Sequence, residues 1–179
     1  MKNQFTIASA YQWSKDENGK NNSEQAIKTI SGMIKNRFSN NKNEKLNYNI
    51  NYRRLRASAG RTMLGSIIKR IEDSQVIIID ISKRNGNVFM EAGIALTLEK
   101  ENKYLSVYFI REQDEKIKLP EGIPSDLQGY FISEYEVKKD KVTFKDSSSL
   151  RMSIESDVKE YFNDREQFFN QIDEINFEE

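Results

Sequence analysis

Residues 74–96 read SQVIIIDISKRNGNVFMEAGIAL, and this stretch decides the fold. Val76-Ile77-Ile78-Ile79 is an unbroken β-branched run. A strand with one wet face alternates apolar and polar residues, and a strand buried on both faces does not. Residues 75–82 therefore read as the central strand of a parallel sheet. The strand ends in Asp80, and Lys83 to Gly86 is a polar turn. Asn87 can cap a helix running to about Glu99, rich in the small residues Ala92, Gly93 and Ala95.

Working outward, the same alternation of strand and helix continues. Residues 4–11 (QFTIASAY) read as a first strand. Asn22 can cap a helix, with Gln25 in capping-box position. That helix runs to about Asn36–Phe38 and has Ala26, Ile27, Ile30, Met33 and Ile34 on its apolar face. An Asn/Lys-rich loop, residues 39–47, leads to a strand from Tyr48 to Leu55. Ala57 to Asp73 reads as a helix with one stripe of Met63, Leu64, Ile67, Ile68 and Ile71.

After the central segment, residues 104–110 (YLSVYFI) form another strand. Residues 111–126 hold both prolines and read as a surface loop. Residues 125–128 suit a helical turn, and Tyr130 to Tyr135 a short strand. Residues 138–149 read as a hairpin or loop. Leu150, Ile154, Val158, Tyr161, Phe162, Phe169, Ile172 and Ile175 then share one face of a long amphipathic helix. The whole predicts a single domain over residues 1–179. Its fold is an open parallel α/β sheet of about five strands, with helices on both faces and a long C-terminal helix.

Composition narrows the chemistry. The 179 residues include no histidine and no cysteine. That removes disulfides, thiolate nucleophiles, Cys-containing zinc sites, imidazole ligation and every histidine-based triad. Catalysis would have to run on carboxylates, hydroxyls, Lys, Tyr or an oxygen-ligated ion, and no metal-ligand set stands out. No stretch reaches the roughly 18–20 apolar residues of a membrane span. The N-terminal MKNQFTIASAYQW lacks the apolar core of a signal peptide, so the expectation is a cytoplasmic protein without membrane association.

The 28 basic and 28 acidic side chains balance, but unevenly. Residues 151–179 hold three basic and nine acidic residues, so the first 150 carry an excess of six positive charges. Between Glu44 and Glu72 there is no acid, while Lys45, Arg53, Arg54, Arg56, Arg61, Lys69 and Arg70 lie there. A basic field of this kind suits a phosphate or another anion. It is not interleaved with the aromatics that nucleic-acid stacking needs, and direct nucleic-acid binding is not expected.

In open α/β sheets ligands bind outside the carboxyl ends of the strands. That rule gathers Ser9-Ala10-Tyr11, Arg53 to Arg56, and Asp80 to Glu91 around one crevice. Glu91 falls in the first helical turn or just after it, where backbone amides favour an ionised carboxylate. Ala92 and Gly93 would let a ligand or helix approach closely. Each residue has a structural reading of its own. Asp80 suits an acid holding its own turn, Asn87 a helix cap, and Asn85-Gly86 a turn requirement.

Taken together, residues 74–96 resemble the superfamily of Toll/interleukin-receptor (TIR)-like nucleotide-binding proteins and nucleoside 2-deoxyribosyltransferase-like proteins. The resembling pattern is Asp80 followed by Asn85-Gly86-Asn87-Val88-Phe89-Met90-Glu91-Ala92-Gly93-Ile94-Ala95. Gly60, Ile67 and Ser74 ahead of it, Ile7-Ala8-Ser9 in the first strand, and residues 124–135 (PSDLQGYFISEY) look similar too. The likeness spans roughly residues 4–135; residues 136–179 form an extension outside it. There are departures. The usual Asn-Pro-Asn is Asn85-Gly86-Asn87, and the usual Tyr/Phe-Glu-Leu-Gly is Met90-Glu91-Ala92-Gly93. Deoxyribosyltransferases place an acid six residues before the catalytic Glu to hold the base, and here that position is Asn85.

The resemblance implies a flavodoxin-like sheet with a nucleoside or nucleotide pocket, in which Glu91 attacks or stabilises the anomeric carbon of an N-glycosidic bond. It implies NAD or a related nucleotide as substrate or ligand, with no separate cofactor. Asp80, Ser82, Asn85 and Asn87 would shape the turn and hold ribose. Ser9, Ala10, Tyr11 and one or more of Arg53, Arg54 and Arg56 would bind phosphate or ribose, and Phe89 or Trp13 could stack on a base. An enzyme of the NAD glycohydrolase or cyclase type is the first expectation. A non-catalytic nucleotide or cyclic-nucleotide sensing module of the same fold is the second. A deoxyribosyltransferase-like enzyme is the third. The resemblance also implies homo-oligomers and a place in bacterial anti-phage defence.

Overall fold

A computed structural model describes residues 4–13, 19–39, 49–56, 62–113, 127–139 and 141–176, with side chains of residues 39 and 168–176 outside the description. The elements in chain order are β1 (Gln4–Ala10), α1 (Asn22–Ser39), β2 (Asn49–Arg54), α2 (Met63–Glu72) and β3 (Val76–Asp80). There follow α3 (Gly86–Glu99), β4 (Ser106–Glu112), β5 (Ile132–Lys138), β6 (Lys141–Phe144) and α4 (Ser147–Asn176). The six strands form one sheet in the order β2-β1-β3-β4-β5-β6. The first five are parallel, and β6 returns antiparallel to β5. This is the flavodoxin-like order with one added edge strand.

The central strand behaves as its sequence demands. Val76, Ile77, Ile78 and Ile79 are all fully buried. Successive side chains point to opposite faces, so Ile78 joins one core while Ile77 and Ile79 join the other. On the first face, α1 and α4 cover the sheet through Ile27, Ile30, Ile34, Ile154, Val158 and Phe162. On the second, α2 and α3 contribute Ile67, Ile71, Val88, Ala92 and Ala95. Burying each of these large aliphatic side chains contributes about 1.5–3 kcal/mol before the entropy of ordering is subtracted.

Several local expectations are corrected. The cap of α1 is Asn21, not Asn22: its Oδ1 accepts from Glu24 N at 3.0 Å, and the Asn22 amide instead donates to Glu112 Oε1. Helix α3 starts before Asn87. Asn85 is its cap, in extended backbone, and its Oδ1 accepts from Asn87 N at 2.9 Å and Val88 N at 3.4 Å. The turn before it depends on Arg84 rather than on Gly86, since Arg84 has φ +35° and Gly86 is already helical. Helix α2 is capped by Thr62, which accepts from Gly65 N, and residues 57–61 lie outside the described residues. Two residues of its predicted stripe, Met63 and Leu64, face solvent, as does Met33 of α1.

Residues 138–149 contain a true hairpin, β5 to β6, with Lys139 left-handed at its turn. The long last helix packs on the sheet as its stripe predicts, from Leu150 through Phe162. The stripe positions Phe169, Ile172 and Ile175 fall where side chains are not described. No helix among the described residues is long and apolar enough to cross a membrane.

Candidate functional site

The strand order reverses between β1 and β3, because β1 leads outward to β2 and β3 leads outward to β4. Loops leaving the carboxyl ends of two such strands diverge and open a crevice. Here the crevice is a cavity of about 340 Å³. Its walls are Tyr11, Gln12 and Trp13 after β1, Arg54 to Arg56 at the end of β2, Met63 and Ile67 of α2, and Asn85, Asn87, Val88, Met90 and Glu91 at the start of α3.

Glu91 is the single carboxylate among the described residues of this wall. It is the sixth residue of α3, so it lies beyond the first turn, and Asn85 already occupies amides of the helix start. The expected stabilisation of its charge by those amides is therefore overturned. Burial dominates and pushes its pKa up to about 7, while Arg54 pulls in the opposite direction. A carboxyl poised near neutrality suits a group that must act both charged and uncharged.

Arg54 is held by stacking. Its guanidinium carbon lies 3.9 Å from the Tyr11 ring centroid and 3.5 Å from the Trp13 centroid. Its Nη2 donates to the Tyr11 carbonyl at 3.1 Å. Burial lowers its proton affinity somewhat, and the neighbouring Tyr11 and Tyr52 oppose that. The Tyr11 phenol is in turn pushed up to about 12, chiefly by burial. Phenol and guanidinium therefore keep their protons together across the neutral range.

The expected site residues divide into two groups. Tyr11, Arg54, Arg56, Asn85, Asn87 and Glu91 meet around the cavity. Ser9 and Ala10 are sealed in the sheet, and Ser9 Oγ shares a 2.7 Å hydrogen bond with Tyr52 OH. Arg53 turns the other way and donates to Arg70 O and Ser74 Oγ, closing the C-terminal end of α2. Phe89 packs against the second core. Asp80 is buried beneath the turn. Its Oδ1 accepts from Ser82 N at 2.8 Å and from Ser82 Oγ, and its Oδ2 accepts from Tyr135 OH at 2.6 Å. Ser82 Oγ also accepts from Glu112 N. Asp80 and Ser82 thus tie the ends of β3, β4 and β5 together. Burial raises the Asp80 pKa, and the hydroxyl and amide donors restrain that rise.

No neighbouring element packs close to Gly93, because a Cβ there would meet nothing within 4 Å, and Ala92 is buried in the second core. Sequence reasoning missed the apolar walls: Leu55, Met63, Ile67, Val88 and Met90. Met63 and Met90 stay substantially exposed at the rim. The stripe position of Met63 looks like core, and only the placement of the cavity shows otherwise. No family model matches the chain, and no curated protein matches it.

Proposed function

We propose that the protein cleaves an N-glycosidic bond of NAD or a related nucleotide, with Glu91 as the catalytic carboxylate. The observation that carries this reading is a carboxyl, alone among the described residues of its wall and poised near pH 7, in a cavity at the β1/β3 switch point with a fixed cation nearby. Cleavage of such a bond develops positive charge at the anomeric carbon, which a carboxylate stabilises or traps. With a nicotinamide riboside, the electron pair of the breaking C–N bond neutralises the ring nitrogen. The base then leaves without a proton donor. Water next adds to the anomeric carbon, its proton passing to the Glu91 carboxylate and on to solvent.

Asn85, the position of the base-holding acid in deoxyribosyltransferases, spends its side-chain oxygen on capping α3, which argues against base exchange of that kind. The test is to incubate wild type and Glu91→Gln with NAD and a nucleotide panel and resolve products by chromatography. Free nicotinamide or base from wild type alone supports the enzyme. Binding without any product assigns instead a nucleotide-sensing module.

A further inference from the structure

The stack around Arg54 carries a statement about which ligands the cavity accepts. A guanidinium presents five N–H donors in a planar fork. One Nη2 bond goes to the Tyr11 carbonyl, and Nε is buried without a partner. No ion pair joins Arg54 to a carboxylate among the described residues. Two rings hold the cation in place, so little side-chain freedom is lost when an anion arrives. Arg56, exposed on the same wall, adds a second positive charge. Arg53 supplies none, because its guanidinium serves the end of α2.

Trp13 adds a second element. Its indole is 64% exposed, although the Arg54 guanidinium lies 3.5 Å from its ring centroid. The aromatic surface that Arg54 does not cover is a shelf for a flat heterocycle. When ionised, Glu91 repels anions, which directs a phosphate toward Arg54 and Arg56 among the residues lining the cavity.

We infer that the cavity selects phosphorylated nucleosides over unphosphorylated ones, with Arg54 gripping the phosphate and Trp13 stacking the base. This deepens the reading above and rests on it only for the identity of the reaction. Trp13 is the sole tryptophan of the chain, so its fluorescence reports this cavity alone. The full chain is titrated separately with AMP, adenosine and inorganic phosphate.

AMP should quench Trp13 with an affinity about tenfold or more above adenosine, the usual worth of a charge-assisted hydrogen bond. Added salt should erase that margin while leaving adenosine unchanged. Arg54→Met keeps a side chain that packs well against rings, and it should bring AMP down to the level of adenosine with the melting curve intact. Equal titration by AMP and adenosine in the wild type would overturn the inference. So would a salt-insensitive margin, or inorganic phosphate quenching as well as AMP. Either of the first two results leaves glycosidic cleavage standing, and failure to release a base leaves this binding preference standing.

Discussion

The guanidinium of Arg54 is fixed 3.5 Å from the ring of Trp13, and from there it acts on the proton affinity of Glu91. Two opposing effects meet at that carboxyl. Burial raises its pKa and the cation lowers it, with the balance at about 7. Arg54→Met removes the restraining effect. With substrate saturating for both proteins, the rising limb of the kcat–pH profile, which reports ionisation of Glu91, should then move to higher pH, with little change in kcat well above it. A pH–rate series on both proteins checks this, and an unmoved limb refutes the coupling.

Glu91 should also cost stability. Its folded pKa lies above the 4.5 of an unperturbed glutamate, so between pH 4.5 and about 7 the folded state binds more protons than the unfolded one. Its favourable contribution is therefore complete at low pH and is lost as pH rises through that window. Glu91→Gln should stabilise the protein at pH 8 by roughly 1–2 kcal/mol, after allowance for the solvent that reaches this partly open group. It should also flatten the pH dependence of urea unfolding between pH 4.5 and 7.

The two asparagines of the turn should separate cleanly. Asn85→Ala removes the cap of α3 and should cost about 1 kcal/mol in denaturant unfolding. Asn87→Ala, on an exposed residue whose amide nitrogen rather than its side chain enters the cap, should stay within about 0.5 kcal/mol. The reverse ranking would restore Asn87 as the cap.

The buried carboxyl beneath the turn has a structural role that can be measured. Tyr135→Phe deletes the hydroxyl that donates to Asp80 Oδ2 and leaves a buried acceptor short of a partner. The expected loss is about 1–3 kcal/mol of stability. Ligand affinity at the cavity, read by Trp13 fluorescence, should not change. A large change in affinity at full stability would return Asp80 to the binding site.

The fold was legible because it rests on burial patterns that one residue type can signal. The Val76–Ile79 run can only be central, and the stripes of α1 and α4 match the 3.6-residue period. The sixth strand was harder to see. β6 is four residues long and polar on alternate positions, so it reads as hairpin or loop alike until β5 pairs with it. The site was legible by strand ends but not by side-chain direction. Arg53 and Arg54 are adjacent in β2, and alternation sends one to the end of α2 and the other to the cavity. Ser9, Asp80 and Ser82 also sit at strand ends, yet each spends its polar atoms inside the fold. Nothing local in the sequence shows where such atoms find partners. The pKa of Glu91 had the same origin: helix position suggested a lowered value, and only the packed walls of the cavity reveal that burial wins.

Product analysis of wild type beside Glu91→Gln, incubated with NAD under identical conditions, tests the central claim most directly. The account predicts free nicotinamide from the wild type and none from the variant, with both melting cooperatively and both still quenched by AMP. Nicotinamide released equally by the two proteins, or by neither while AMP still binds, would contradict it.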